Sequence, residues 1–158
     1  MKSNVELINL YEQDQSDRSG SVEKMHPALE QRDAERRKRV LELLGQGSVH
    51  TADDYFHAAM IFQHGEAVAD IERAHQLALQ AIAVDPGHKN ARWLAAASED
   101  RVLMYRDKPQ RWGTQFKRID GQWKLWPVDP ATTDADRAKW GVPTLAEQEI
   151  RERELNSR

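Results

Sequence analysis

Apolar positions recur at intervals of three and four along most of this chain, the spacing that gathers them on one face of an α-helix. Over residues 5–18, Leu7, Ile8, Leu10 and Tyr11 are close enough for one such face before the segment turns polar, which predicts a short docking helix. Ser19-Gly20-Ser21 should break it, since small residues open several backbone wells. His26-Pro27 then opens a charged stretch in which Leu29, Arg36, Val40, Leu43 and Leu44 keep helical spacing, with Gly45 and Gly47 as the stop. Thr51-Ala52-Asp53-Asp54 is a helix entry: the hydroxyl can accept a free amide hydrogen, and the carboxylates complement the positive end of the helix dipole. That helix is expected from about residue 52 to 64, ending at Gly65. A second covers residues 71–84, with Ala74, Ala78 and Ala81 as a face small enough for close packing, and Asp85-Pro86-Gly87 ends it. A third covers residues 90–105, where Trp93, Leu94, Ala97 and Met104 repeat at helical intervals.

The period changes after Pro109. Residues 114–119 and 122–128 are rich in aromatic and β-branched side chains, and Asp120-Gly121 between them is a strong hairpin signal. An isolated hairpin is marginal in water, so Phe116, Trp123 and Trp126 are expected to pack it on the helices. Thr133-Asp134-Ala135-Asp136 opens a short helix ending near Gly141, and Pro143-Thr144 starts the last one. The fold class is therefore mainly α: a compact helical domain with a small C-terminal β-hairpin. The expected organisation is an N-terminal docking helix or arm over residues 1–20, one helical domain over 21–148 with the hairpin near 114–128, and a charged tail over 149–158 that frays.

Composition narrows the function classes. The 158 residues carry 23 Lys and Arg against 26 Asp and Glu, and no cysteine. Near-neutral charge without a basic block argues against a nucleic-acid partner held by phosphate neutralisation and against an anchor on an acidic membrane. The one dense basic run, Arg36-Arg37-Lys38-Arg39, points in four directions once wound on a helix, which predicts a solvated surface. The lack of cysteine excludes disulfides, thiolate catalysis and cysteine-ligated metal centres. No apolar run approaches a membrane span or a signal-peptide core, so a cytoplasmic location is expected. Phosphate-binding glycine loops, His-Glu-x-x-His helices, Gly-x-Ser-x-Gly elbows and dinucleotide fingerprints are all missing.

Three polar clusters remain. Pro109-Gln110-Arg111-Trp112-Gly113-Thr114-Gln115 sets two carboxamides, a guanidinium and a hydroxyl at a helix-to-strand junction. Such groups can read a ligand bearing carboxylate, phosphate or amide, and they can equally satisfy the stranded carbonyls of the preceding helix. Gln63-His64 closes a helix, a place that suits an acid–base imidazole and a capping one alike. His57 lies two turns before His64, roughly 10 Å away by helical rise, too far for the two rings to share a metal. In Asp100-Arg101 the acid could orient an imidazole and the guanidinium bind an anion, or both could join an ion-pair network between helices. His75 beside Gln76 carries a weaker signal.

Taken together, Gln63-His64, Asp100-Arg101-Val102-Leu103, the block from Pro109 to Phe116, Trp123, Pro127 and Asp134-Ala135-Asp136-Arg137 through Gly141-Val142-Pro143 resemble the bacterial domain-of-unknown-function family 6624, with Asp14-Gln15 and Arg18 similar to its amino-terminal motif. Trp112 replaces the tyrosine more usual in that pattern, and Gly65 stands where many relatives place alanine. The resemblance implies a shared polar site and no particular reaction.

The expected function is a small cofactor-independent enzyme. His64 would be its general acid or base and Asp100 the orienting partner. Gln63, Arg101, Gln110, Arg111, Thr114 and Gln115 would bind a small polar or anionic substrate, with no metal, nucleic acid or membrane involved. One alternative is a small-molecule or peptide-binding module without catalysis. Another is a purely structural network locking the hairpin to the helices.

Overall fold

The computed structural model describes residues 1–19 and 27–158. The expected break at Gly20-Ser21 and the His26 opening lie outside the described residues. The architecture is mainly α, with seven helices and one two-stranded hairpin among the described residues: α1 (Val5–Asp17), α2 (Leu29–Gly45), α3 (Ala52–Gln63), α4 (Val68–Val84), α5 (Lys89–Tyr105), β1 (Phe116–Ile119), β2 (Gln122–Leu125), α6 (Asp134–Lys139) and α7 (Leu145–Asn156). No helix among the described residues is long and apolar enough to cross a membrane.

Helices α3, α4 and α5 pack in succession, joined by short turns, and α1 and α2 lie against α3. Fully buried Ala58, Ala59, Ala74, Ala78 and Ala81 let the central helices approach closely, while Phe56, Ile61, Phe62, Leu77 and Leu94 fill the space between them. Leu7, Val40 and Leu43 bring α1 and α2 into the same core. The entry signals behave as expected. Thr51 and Asp54 form a reciprocal capping box, and the Asp54 carboxylate also accepts the backbone N–H of Asn4 at 2.8 Å, pinning the start of α1 to the start of α3.

The hairpin pairs Phe116 with Leu125 and Ile119 with Gln122, antiparallel. Asp120 and Gly121 both hold positive φ, 51° and 79°, as the tight connection requires. Its attachment differs from expectation. Trp123 is exposed, and the ribbon is held to α7 by polar bonds: Asn156 accepts the Trp123 N–H at 2.8 Å and donates to its carbonyl at 2.8 Å, and Glu152 accepts the Leu125 N–H at 2.5 Å. These bonds also continue α7 to Asn156 through the stretch expected to fray.

The basic run is a second correction. Arg36 is 3% exposed, because α1 presents acids where α2 passes it. Arg36 donates to Asp17 at 2.8 Å and to Asp33 at 2.7 Å, Arg32 donates to Asp17 at 2.7 Å, and Arg18 bonds Asp14 and Asp33. A helical wheel of α2 alone can show Asp33 but not Asp14 and Asp17, which are on α1. Hydrogen bonds from Arg32, aided by Arg36, hold the Asp17 carboxyl below its ordinary range. Burial opposes ionisation of Asp33, but Arg18 and Arg36 prevail and hold it low as well. Burial likewise opposes ionisation of Asp54, where donors from Asn4, Thr51 and His50 prevail. Since these folded-state values lie below the unfolded one, the stability they contribute is whole above a pH of about 4 and is lost as pH falls further. Urea midpoints should therefore be flat from pH 7 to pH 5 and drop by pH 3. An unchanged midpoint at pH 3 would contradict the ion-paired clasp.

Candidate functional site

The loop after α5 is built around one acid. Asp100 is fully buried and accepts five hydrogen bonds: from the backbone N–H of Arg111 (2.8 Å), Trp112 (2.9 Å), Gly113 (3.1 Å) and Thr114 (3.0 Å), and from the Thr114 hydroxyl (2.7 Å). Burial pushes its carboxyl above the ordinary value, against the pull of these donors. Gly113 has φ +94°, a conformation L side chains rarely adopt. On the far side of the loop, Arg137 donates to the Trp112 carbonyl at 2.7 Å and Gln148 to the Gly113 carbonyl at 2.7 Å.

From this loop a chain of contacts reaches α3. The Thr114 hydroxyl accepts from Gln115 Nε2 at 3.1 Å, and Gln115 Oε1 accepts from Arg101 Nε at 3.1 Å. Arg101 Nη1 then donates to the Gln63 carbonyl at 2.6 Å, which puts the guanidinium beside the peptide that leads into His64. No carboxylate among the described residues lies within 4.0 Å of Arg101. Burial pushes its guanidinium below the ordinary value; Tyr105 opposes that shift, and the like charge of Arg18 adds to it.

His64 caps α3 with its imidazole partly exposed. Its Nδ1 lies 2.9 Å from the carboxylate of Asp14, which is fully buried on α1 and also receives Arg18 at 2.8 Å and Gln15 Nε2 at 3.0 Å. Asp14 is charge-paired with Arg18, so the natural arrangement has Nδ1–H donating to it and leaves Nε2 as a lone pair. Nε2 has no protein partner among the described residues. The site thus joins α1, the end of α3, α5 and the loop that follows it.

The following glycine is needed for this geometry. A Cβ on Gly65 would lie 2.4 Å from the Cβ of Asp70. Gly65→Ala should displace the His64 turn or α4 and cost about 1–3 kcal/mol, as overpacking does. Thermal melts and the His64 ring resonances would register it; wild-type values for both would show that the contact relaxes freely.

The structure therefore redistributes the expected site residues. His64, Gln63, Arg101, Thr114 and Gln115 form one connected set, but Asp100 does not orient His64, because all five of its contacts go to the loop. Asp14 holds that place. Gln110 is fully buried, its carboxamide used by the Gln115 N–H, the Gln115 carbonyl and the Trp126 carbonyl, so it builds the loop and has nothing left for a substrate. Arg111 lies over the Trp112 ring at 4.5 Å and donates to Glu99 at 3.3 Å, on the outer side of the loop and outside the contacts that join Arg101 to His64. Gln63 serves Arg101 through its carbonyl, while its own buried Oε1 has no partner. His57 stacks on Tyr11 at 4.3 Å, with its charged form disfavoured by burial, and His75 bonds Ala95 and Ser98. No group of three or more metal-ligating side chains occurs among the described residues.

Asp14 and Arg18 were the functional candidates that residue-by-residue reading passed over. Their signal is a polar i, i+4 pair on a helix whose other face is apolar. Cavities of about 690 and 540 Å³ lie against α7 and beside Trp112 and Trp140; Thr114 lines the first, and neither His64 nor Arg101 lines either.

Comparison with known proteins gives a match between residues 8–155 and the model described as a family of unknown function (DUF6624). No curated protein and no solved structure matches the chain.

Proposed function

Because the chain belongs to that family of unknown function, whose description supplies no reaction, we propose from the geometry that it is a small enzyme acting by proton transfer through its own side chains, in the cytoplasm, on a small polar or anionic substrate. The observation that carries this reading is the Asp14–His64 pair, its imidazole partly exposed and its Nε2 without a partner among the described residues, one residue from the Gln63 carbonyl that Arg101 binds. His64 Nε2 would take a proton from the bound substrate, Asp14 would stabilise the imidazolium that forms, and Nε2 would return the proton to the leaving atom or product. Gln115 and Asp100 act as positioning residues, since they fix Arg101 through the loop without reaching the imidazole. A connected bonding path from a buried acid to the substrate-facing guanidinium suits catalysis, which needs a site held within a fraction of an ångström.

The test is a depletion experiment. The protein is incubated with a fractionated metabolite extract, and mass spectrometry follows which compound disappears. Wild type and an Arg111→Gln control should consume the same compound, and His64→Gln should not. A compound that binds and is recovered unchanged from wild type would make the protein a binding module.

A further inference from the structure

The ion pairs of the site leave one charge over. Asp14, Asp17 and Asp33 are matched by Arg18, Arg32 and Arg36, each within ion-pair distance of at least one of these acids. Arg101 is the fourth guanidinium of this region, close enough to Arg18 to feel its charge, and it has neutral partners only. A partly buried cation surrounded by carbonyl oxygens keeps its hydrogen bonds but lacks a counter-charge, an arrangement that costs free energy unless a further group supplies one. With Nε given to Gln115 and one Nη1 donation to Gln63, Nη2 keeps both hydrogens without a partner among the described residues. Planar guanidinium edges of this kind match the two oxygens of an oxyanion.

We infer that Arg101 is the oxyanion clamp of the site and that its substrate carries a single negative charge, on a carboxylate or a phosphodiester, next to the atom that exchanges its proton with His64. This rests on the acid–base reading above and adds the chemical class to it. One unmatched positive charge selects a monoanion: a dianion would leave a negative charge over while the imidazole is neutral, the form in which it acts as a base. The anion must also approach through the partly exposed edge of Arg101, since Asp14 already occupies Nδ1 of His64 and Asp33 occupies the end of Arg18. Gln115 sets the direction of that edge, because its Oε1 fixes Nε and hence the plane of the guanidinium.

Acetate and dimethyl phosphate are the probes, with acetamide and trimethyl phosphate as neutral counterparts. Each is titrated into the full-length protein while the side-chain Nε–H resonance of Arg101 is followed. At least one monoanion should shift that signal saturably, and the neutral compounds should not. Acetate alone would assign a carboxylate, dimethyl phosphate alone a phosphodiester, and both the shared oxyanion chemistry. With binding followed instead at the side-chain amide resonances of Gln115, which every variant keeps, Arg101→Gln should weaken it at least tenfold, Arg101→Lys less, and His64→Gln should change it by no more than about threefold. If neither anion moves the Arg101 signal of the wild-type protein, the clamp assignment is overturned, and this readout does not depend on any variant folding. Should His64 prove necessary for turnover while no anion binds Arg101, only the clamp fails. Anion binding with His64 dispensable for turnover would instead refute the acid–base reading and leave the clamp standing.

Discussion

Asp100→Ala is expected to lower unfolding free energy by about 3–5 kcal/mol, among the largest effects a single replacement can have in a domain of this size. The substitution removes one acceptor and strands four backbone N–H groups and a hydroxyl, with the N–H groups of Trp112 and Gly113 buried and the other donors partly so. An unsatisfied buried donor costs about 1–3 kcal/mol, and partial collapse of the loop onto water keeps the total below the sum over five. For a chain of this length each kcal/mol corresponds to about 2–4 °C, so the melting temperature should fall by on the order of 10 °C. Asp100→Asn should be milder but still damaging, because its NH₂ would face N–H groups where the second carboxylate oxygen accepts three hydrogen bonds. Thr114→Val, which removes one donor of the five, should cost about 1 kcal/mol. Differential scanning calorimetry of the three variants gives the ordering Ala, Asn, Val. An Asp100→Ala protein within 1 kcal/mol of wild type would mean that the loop is not organised by this acid. The path from the loop to Arg101 would then lose its anchor.

Which parts of this molecule could be seen in the sequence follows from the range of the interactions. Thr51 with Asp54 and Asp120 with Gly121 are local signals, satisfied by residues at most three positions away, and their helix start and turn lie where the pattern puts them. The α-helical period of Ile71, Ala74, Ala78 and Ala81 is equally local. Asp100 meets its partners 11 to 14 positions downstream, across a chain reversal that no periodicity encodes. Asp14 and His64 are 50 positions apart, and an acid on the polar side of a short helix looks like solvated surface until α3 is laid against it. Arg36 shows the same effect in reverse: its charge suggested solvent, while three acids on two helices bury it. The block from Gln110 to Gln115 could be singled out as polar and special. Its division into loop builders and a single arginine-positioning glutamine depends on burial, and burial is a tertiary property.

The hydrogen bond between Asp14 and His64 leads to the second large expected effect, on turnover instead of stability. His64→Gln removes the only proton-transfer group assigned to the site and should lower turnover of the compound identified by depletion by about 10²–10⁴-fold, the usual contribution of a placed acid–base side chain. Asp14→Asn separates the charge of that pair from its geometry. Arg18 donates to Asp14 Oδ1 at 2.8 Å and requires an acceptor there, so an asparagine keeps its oxygen in that place, where it also lies 2.9 Å from His64 Nδ1, and puts its NH₂ at the Oδ2 position. That oxygen can still accept Nδ1–H, so the tautomer and the ring position are kept while the negative charge that stabilises the imidazolium is lost. Turnover should then fall, though less than in His64→Gln, with ring ¹⁵N shifts that stay those of the Nδ1–H tautomer. Asp14→Ala is the less informative variant, because it also leaves Arg18 and Arg36 without one of their acids and loosens α1 from α2. Asp14→Asn with the Nδ1–H tautomer and wild-type turnover would remove Asp14 from the mechanism; the Nε2–H tautomer with wild-type turnover would show that Nε2 is not the base.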